Sequence, residues 1–265
     1  MRKGVYSREV KRLFFDISHF DFVILRIYLD YLRAHVSAEF LRTPNLSSES
    51  YIWARDYWEL RRWGESVYGE KRSKRTCKSV HFALDRLRRQ FAGKLRLIDV
   101  GCGPSSHFYS EELANRADIE IITVDPLAKH YQRLHQQYKT PYDIECVEGF
   151  GENLDQLFSR DSFHLVYSEN AIDHSISPEL FMNNMFRVLK TGGYLILCGF
   201  MKEGSNSGWL GVHKWDIEAE DNDLLLTNRS KTIYRRSLTR NLNLTLVSSE
   251  IILQTSYTYV FEKKG

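Results

Sequence analysis

The most informative residues in this sequence are an aspartate and two closely spaced glycines, Asp99, Gly101 and Gly103, which follow the apolar run Leu95–Val100. Glycines at the end of a buried strand let the backbone turn sharply and approach a small molecule closely. A carboxylate this near would repel a pyrophosphate, whereas a ligand with an ammonium group tolerates it. The spacing therefore predicts a site for a small molecule that carries an ammonium group.

The block Asp99–Ser105 resembles the first motif of the class I S-adenosylmethionine (SAM)-dependent methyltransferases, an acidic residue followed by x-Gly-x-Gly-x-Gly, with Ser105 in place of the third glycine. A dinucleotide-binding motif would need glycine at position 106, where Ser106 stands, so a nicotinamide-dependent dehydrogenase is disfavoured. The resemblance implies that SAM is the cofactor. It also implies that the first part of its site comprises Asp99, Gly101, Cys102 and Gly103.

Asp125 and Pro126 follow the second predicted strand. In the family that the sequence resembles, an acidic residue at this place holds the ribose of SAM. A carboxylate can accept hydrogen bonds from vicinal hydroxyls, and such charge-assisted bonds are about twice as strong as neutral ones. The alternative interpretation of Asp125 is an acid that caps the following helix.

A departure from the family pattern lies in the segment Glu148–Leu154, where family members often carry Gly-Asp-Ala-Glu, with the Asp on the adenine amino group. Phe150 occupies that Asp position. We expect Phe150 to cover the adenine face, with backbone groups of Gly151 and Glu152 at the adenine edge. A buried core phenylalanine is the alternative.

The block 168–175 should line the ligand crevice, because ligands of open α/β sheets bind beyond the carboxyl ends of the strands. We assign Ser168, Glu169 and Asn170 to the cofactor site. The block lacks the Asn/Asp-Pro-Pro-Tyr/Phe motif that holds a planar amino group in related enzymes. Its absence argues against methylation of adenine or cytosine amino groups.

Catalysis is assigned to two histidines and one acid. Methyl transfer from a sulfonium is an in-line displacement, so positioning matters more than acid–base chemistry, although a hydroxyl acceptor still gains from a base. His174, oriented by Asp173, is the first candidate because an imidazole titrates near neutral pH. His213, in the loop after the fifth strand, is the second. The alternative for each histidine is a structural or merely exposed role.

The elements that position these residues alternate between strand and helix after Gly93, which predicts an α/β fold with a parallel sheet covered on both faces. We predict a Rossmann-like seven-stranded, mostly parallel sheet with an antiparallel C-terminal strand, preceded by an N-terminal helical segment. The predicted domains are a helical cap or accessory segment at 1–92 and a SAM-binding methyltransferase domain at 93–265. The predicted strands are 95–100, 119–124, 143–148, 164–167, 194–200, 244–252 and 257–262.

Further local elements are read from the sequence in the same way. Helices are predicted at 79–91, 109–114, 129–137 and 179–189, with Gly192-Gly193 as a left-handed C-cap of the last. A hairpin is predicted around 221–223 and a short helix at 233–238. Aromatic residues of the N-terminal segment, Tyr51 to Trp63, are expected either to cap the substrate pocket or to pack on the sheet edge or a dimer partner.

Composition limits the functional classes. The chain has 265 residues and a net charge of +3, which places no general demand on a polyanionic partner. The basic stretch from Lys71 to Arg96 is read as a solvated helix face, with RNA or a phosphate-rich substrate as the alternative. The four cysteines are scattered, so we expect no structural zinc and assign no metal. The apolar stretch from Leu13 to Leu32 is interrupted by charges, and we expect no membrane span and a cytoplasmic protein.

These observations and the resemblance lead to a SAM-dependent methyltransferase that acts on a small molecule, at a hydroxyl of a sugar or secondary metabolite. The first alternative is an RNA or protein methyltransferase. The second is a non-catalytic SAM-binding scaffold subunit whose N-terminal helices hold a partner. A homodimer formed through those helices is also considered.

Overall fold

The computed structural model describes residues 77–104, 106, 108, 113, 116–138, 145–209, 212–220 and 222–265, and every structural statement below concerns these residues. Most of the predicted N-terminal helical segment, including its aromatic residues, lies outside the described residues. The helix predicted at 109–114 also lies outside them, apart from Leu113.

One seven-stranded sheet organises the fold, in the order β3-β2-β1-β4-β5-β10-β9. Strands β1 to β5 pair in parallel, and β10 is antiparallel to both of its neighbours, β5 and β9. The Rossmann-like sheet with an antiparallel C-terminal strand is thereby confirmed. In chain order the strands of the chain are β1 (Leu95–Val100), β2 (Ile119–Asp125), β3 (Cys146–Glu148), β4 (Phe163–Glu169), β5 (Leu189–Phe200), β6 (Trp215–Glu220), β7 (Asp223–Asn228), β8 (Arg236–Ser237), β9 (Leu244–Ile252) and β10 (Ser256–Lys263).

Helices cover both faces of this sheet, which explains why its central strands are apolar at nearly every position. In β1, Leu95 and Leu97 point into the core beneath one face, whereas Ile98 and Val100 point into the core on the other. Burial on both faces is what turns a parallel strand into a continuous apolar run. The helices are α1 (Lys78–Gln90), α2 (Ala128–Tyr138), α3 (Leu154–Leu157), α4 (Pro178–Val188) and α5 (Glu203–Asn206).

A second, three-stranded antiparallel sheet of β6, β7 and β8 packs against the core that α4 covers. The hairpin predicted around 221–223 is present between β6 and β7. The helix predicted at 233–238 is wrong, because Arg236–Ser237 pairs as a strand with Leu225 and Leu226. Arg235 has a φ of +49°, which a right-handed helix does not allow.

The glycine C-cap predicted for α4 is also wrong. The helix ends at Val188, and Leu189 is already extended and begins β5. Gly192 does have a positive φ of 76°, but it lies inside β5, where a Cβ would be 2.1 Å from Gln90 of α1. The cap is supplied instead by Lys263, whose Nζ donates to the carbonyls of Phe186 at 3.0 Å and Leu189 at 2.6 Å.

Among the described helices there is none with the length and apolar character that crossing a bilayer requires.

Candidate active site

The loop that follows β1 depends on two glycines for its conformation. Gly101 and Gly103 have φ values of +72° and +58°, which side chains other than glycine rarely adopt. A Cβ on Gly101 would lie 2.3 Å from the Cβ of Ala171, which follows β4. The glycine loop and the loop after β4 are therefore in direct contact, and the predicted ligand crevice lies where these loops meet.

Asp125, at the end of β2, binds this loop through both of its carboxylate oxygens. Oδ2 accepts a hydrogen bond from Gly103 N at 3.0 Å, and Oδ1 accepts one from Leu127 N at 2.8 Å, on the far side of Pro126. Burial raises the pKa of Asp125 to about 6, against the effect of these two hydrogen bonds. Each carboxylate oxygen has a second lone pair, so Asp125 can fix the loop and still accept from ribose hydroxyls.

Asp99 and Cys102 lie deeper in the same region. Asp99 is buried and accepts a hydrogen bond from Ser106 Oγ at 2.5 Å, and this hydroxyl in turn accepts from Phe108 N. Ser106, which excluded a dinucleotide motif, therefore folds the loop back onto the acid. Cys102 Sγ lies 3.7 Å from Cys146 Sγ, and burial together with this neighbour raises the pKa of Cys102 well above its usual value. Cys102 is a neutral thiol in the wall of the site.

The segment after β3 is held tightly by its neighbours. Gly151 is buried, and a Cβ there would overlap the ring of Phe181 on α4. The carboxylate of Glu152 accepts hydrogen bonds from the backbone of Ile176 at 2.7 Å and Ser177 at 3.3 Å. Glu152 thereby ties this segment to the loop after β4. Phe150 is partly buried at the start of the turn, and its expected place over the adenine face stays a prediction.

Ser168, Glu169 and Asn170 hold the strand ends together. Ser168 Oγ donates to Val100 O at 2.8 Å, and Glu169 accepts a hydrogen bond from Tyr167 at 2.9 Å. Asn170 has a φ of +49° and accepts from Phe200 N at 2.9 Å. Ser168 and Asn170 thereby tie the end of β4 to β1 and β5. The assignment of Ser168, Glu169 and Asn170 to the cofactor site stays a prediction.

The predicted catalytic residues Asp173, His174 and His213 come together although forty positions separate the first from the last. His213 Nδ1 lies 2.7 Å from Asp173 Oδ2, and His174 Nε2 lies 3.2 Å from His213 Nδ1 and 3.3 Å from Asp173 Oδ2. We call these three residues the histidine cluster. Asp173 and His174 belong to a short 3₁₀ turn, Ile172–His174, that follows directly on Ala171. The cluster is therefore adjacent to the glycine loop.

Two backbone-level contacts hold the cluster in place. Lys214 N donates to Asp173 O at 2.9 Å, and the indole N–H of Trp215 donates to Ser175 O at 2.8 Å. They join the start of β6 to the turn after β4. These two hydrogen bonds fix the backbone next to His213 against the backbone next to Asp173, so the two side chains face each other.

The charges of the cluster follow from burial and from mutual contact. Burial acts to raise the pKa of Asp173, but the charge of His174 and the hydrogen bond from His213 outweigh it and lower the pKa. Burial lowers the pKa of His174. Burial also acts to lower the pKa of His213, but the hydrogen bond and charge of Asp173 outweigh it and raise the pKa. The ionised carboxylate of Asp173 thus has His213 as its cationic partner.

Two residues that the sequence did not single out complete the surroundings. Glu203 on α5 has a carboxylate oxygen 3.9 Å from His213 Nδ1. Tyr257 on β10 is buried against Gly199, and burial and the nearby charge of Asp173 raise its pKa. Glu203 stands in a glycine- and serine-rich stretch without a local motif, and Tyr257 is one aromatic among several in its strand, so no local signal marks either residue.

Comparison with known proteins adds to this geometry. A family model described as a methyltransferase domain matches residues 98–197. The chain is 26% identical over 189 residues to a sterol 24-C-methyltransferase of Debaryomyces hansenii, covering 67% of this chain and 45% of that protein. It is 27% identical to 24-methylenesterol C-methyltransferase 2 of Arabidopsis thaliana, covering 57% of this chain and 41% of that protein. The chain thus spans less than half the length of these relatives.

Among solved structures, the CurJ carbon methyltransferase superposes with a TM-score of 0.51 at 13% identity, covering 81% of this chain and 58% of that one. At this identity the likeness concerns the fold.

Proposed function

We propose that this protein transfers the methyl group of SAM to a small-molecule acceptor that is activated at the histidine cluster, and the match of residues 98–197 to a methyltransferase-domain family model supports this. The single observation that carries the proposal is the contact between Gly101 and Ala171. It places the cluster directly beside the loop that the family uses for the cofactor.

The cofactor side of the site is assigned as follows. Asp125 accepts hydrogen bonds from the ribose hydroxyls with the lone pairs that Gly103 N and Leu127 N leave free. The positive-φ turn at Gly101 and Gly103 receives the amino-acid end of SAM, and Asp99 supplies negative charge beneath it. Phe150, Gly151 and Glu152 border the adenine end of SAM. The remaining cofactor residues lie at the end of β4 and are Ser168, Glu169 and Asn170.

The proposed reaction takes place at a hydroxyl. The hydroxyl proton passes to His174 while the acceptor oxygen forms a bond to the methyl carbon and the bond from that carbon to the sulfonium sulfur breaks. SAM leaves as the neutral thioether S-adenosylhomocysteine, so the positive charge moves from sulfur to the histidine. Asp173 positions the cluster and stabilises this charge, at a distance of 3.3 Å from His174.

A carbon acceptor is the second candidate, and one observation favours it: two of the relatives are named as C-methyltransferases. With a carbon nucleophile, the new bond forms between two carbons as the bond from the methyl carbon to sulfur breaks and S-adenosylhomocysteine leaves, and the base then removes a proton from the carbocation that results. The same cluster can perform either step. The two candidate reactions therefore differ in the atom that receives the methyl group.

Transfer of a ¹³C-labelled methyl group from SAM tests both candidates. The full chain is incubated with labelled SAM and a metabolite extract, and the product is examined by carbon NMR, which separates methyl on oxygen from methyl on carbon. We expect a labelled O-methyl product. A labelled C-methyl product would select the second candidate, and the absence of any labelled product with bound SAM would favour the scaffold alternative.

His174→Ala tests the role of the cluster in this reaction. We expect turnover to fall by about 100-fold or more, within the range of general-base catalysis, while the Kd for SAM changes little. Formation of S-adenosylhomocysteine measures turnover, and calorimetry measures SAM binding. His81→Ala, on α1, is the matched control and should retain turnover. Unchanged turnover in the His174 variant would remove this residue from the mechanism.

A further inference from the structure

The histidine cluster has a second chemical capacity. We propose that Asp173, His174 and His213, with Glu203 as a further donor, form a binding site for a divalent transition-metal ion such as Zn²⁺. The sequence predicts no metal, because no cysteine forms a Cys-x-x-Cys pair or has a histidine at ligand spacing. The ligand atoms of Asp173, His174 and His213 all lie within 4.8 Å of one another in the folded structure.

The distances between the donor atoms fit a shared ion. Asp173 Oδ2, His174 Nε2 and His213 Nδ1 are 2.7, 3.2 and 3.3 Å from one another. Around zinc, with bonds of about 2.1 Å, neighbouring ligand atoms are about 3.0 Å apart in an octahedral arrangement and about 3.4 Å apart in a tetrahedral one. A point at bonding distance from all three atoms therefore exists without movement of the backbone.

Hydrogen bonding within the cluster does not exclude an ion. In its absence, His213 Nδ1 and His174 Nε2 can each donate to Asp173 Oδ2, over 2.7 Å and 3.3 Å. Two protonated nitrogens then lie 3.2 Å apart and repel each other. A cation that replaces both protons would be bound by one lone pair from each of the three atoms.

The type and exposure of the donors indicate the class of ion. Imidazole nitrogen with carboxylate oxygen suits zinc and other first-row transition metals, whereas magnesium and calcium prefer oxygen donors alone. Asp173 is 5% exposed, but His174 and His213 are partly open to solvent. Catalytic zinc sites likewise keep one position open for water or substrate. Glu203, 3.9 Å from His213 Nδ1, can close the shell or remain outside it.

The charges around the site balance a divalent ion. Asp173 and Glu203 supply two carboxylates, which face the cationic His213 and the ammonium of Lys214. An ion bound by His213 displaces the proton of that ring, so that two carboxylates then face the ion and one ammonium.

The metal changes one step of the proposed function, and its catalytic role rests on the methyl transfer proposed there. Without the ion, His174 takes the acceptor proton; with the ion bound, His174 would hold the metal and the proton would leave by another route. A hydroxyl that binds the open position becomes more acidic, and its proton passes to solvent water. The oxygen then forms the bond to the methyl carbon as the bond from carbon to sulfur breaks.

Cobalt serves as the probe, because Co²⁺ occupies zinc sites and its visible absorption reports the ligand geometry. The full chain, without an affinity tag and dialysed against a chelator, is titrated with Co²⁺. We expect one equivalent to bind with absorption typical of nitrogen and oxygen ligands, and Zn²⁺ to displace it. His174→Gln and His213→Gln should each weaken Co²⁺ binding by about 100-fold or more. His81→Gln, on α1, is the matched control and should bind Co²⁺ normally.

Two outcomes would overturn the proposal. One is the absence of stoichiometric Co²⁺ binding to the wild-type chain, which no folding defect of a variant can explain. The other is unchanged absorption in His174→Gln and His213→Gln, which would indicate adventitious metal elsewhere. SAM calorimetry on the same samples keeps the proposals apart. SAM binding without Co²⁺ binding removes the metal alone, whereas Co²⁺ binding without SAM binding removes the proposed function alone.

Discussion

At the scale of single residues, Asp125 shows how one side chain serves both the fold and the ligand. Its carboxylate accepts hydrogen bonds from Gly103 in the loop after β1 and from Leu127 in the loop after β2, and it is almost fully buried. Both proposed interpretations of the sequence, a helix-starting acid and a ribose ligand, are compatible with this geometry. The first is visible in the hydrogen bond to Leu127, and the second is a prediction that pH can test.

SAM affinity should depend on the ionisation of Asp125. Burial raises the pKa of Asp125 from 3.8 to about 6, and the ionised form is the better acceptor for ribose hydroxyls. We expect the affinity to be constant above pH 7 and to fall about tenfold for each pH unit well below 6. Calorimetry across pH 5 to 8 measures it. Asp125→Asn should bind SAM weakly at every pH, and a wild-type affinity that is flat from pH 5 to 8 would contradict the assignment.

The raised pKa of Asp125 has the opposite effect on the stability of the unliganded protein, which falls as pH rises. Because the folded-state pKa lies above the unfolded value, the folded state binds more protons between pH 4 and 6. The contribution of Asp125 to stability is therefore present below pH 4 and is lost as pH rises through 6. SAM binding and the stability of the unliganded protein thus place opposite demands on this carboxylate.

At the scale of elements, the site depends on contacts between the ends of neighbouring strands. The loops after β1 and β4 touch through Gly101 and Ala171, and Glu152 joins the segment after β3 to the loop after β4. The crevice is therefore shaped by packing between loops.

Gly101→Ala should disrupt this packing. The new methyl group would lie 2.3 Å from Ala171 Cβ, and the φ of +72° adds strain. We expect a loss of about 3 kcal/mol in the free energy of unfolding and much weaker SAM binding. The control is Gly103→Ala, which has a positive φ but no described atom within 4 Å of its Cβ, and it should lose only about 1 kcal/mol.

A double variant separates the clash from the strain. Adding Ala171→Gly to Gly101→Ala removes the overlapping methyl group but leaves the positive φ. We expect most of the lost stability to return, with about 1 kcal/mol still missing. Urea unfolding of the wild-type chain, the two single variants and the double variant gives the coupling energy between positions 101 and 171. Additive effects of the two substitutions would show that the loops do not constrain each other at this point.

Lys263 caps the end of α4 in place of a glycine. It is 4% exposed, donates to two carbonyls at the end of α4, and pairs with Asp161 at 2.7 Å. Lys263→Met removes the donor of these two carbonyls and the nearer cation of the Asp161 carboxylate, which also pairs with Arg160, so we expect a loss of about 3 kcal/mol in the free energy of unfolding. Urea denaturation measures it. Lys264→Met, at an exposed ion pair with Glu262, should change stability by less than about 1 kcal/mol.

At the scale of the whole molecule, one sheet carries the cofactor crevice at the carboxyl ends of its parallel strands. The second sheet brings His213 to the same edge, since Lys214 and Trp215 lead into β6. A net charge of +3 offers no general attraction for nucleic acid. If RNA were the acceptor, its binding would weaken steeply with salt because counterions are released.

Thermal unfolding with different ligands tests the cofactor assignment for the full chain. SAM and S-adenosylhomocysteine should each raise the melting temperature, because a ligand at about 100 times its Kd adds about 2.7 kcal/mol to stability. NAD should leave it unchanged, as the serine at position 106 predicts. A shift with NAD and none with either SAM or its product would contradict the assignment.

Some expectations failed for identifiable physical reasons. Gly192 has the left-handed conformation expected of a C-cap, but it serves a bend inside β5 because a lysine from the last strand caps α4. The run 233–238 has helix-forming residues, yet Arg235 turns the chain and Arg236–Ser237 joins a sheet. In both cases a partner distant in sequence overrode a local signal.

The sequence by itself determined the sheet and its cofactor edge. Strands buried on both faces read as apolar runs, and positive φ at a strand end requires glycine, so both features are local. Only the tertiary structure decided that the side chains of Asp173, His174 and His213 are in contact and that Glu203 lies 3.9 Å from His213. The donor atoms of the first three meet because a second sheet and a backbone hydrogen bond from Lys214 fix segments forty residues apart, and no local pattern records such a pairing.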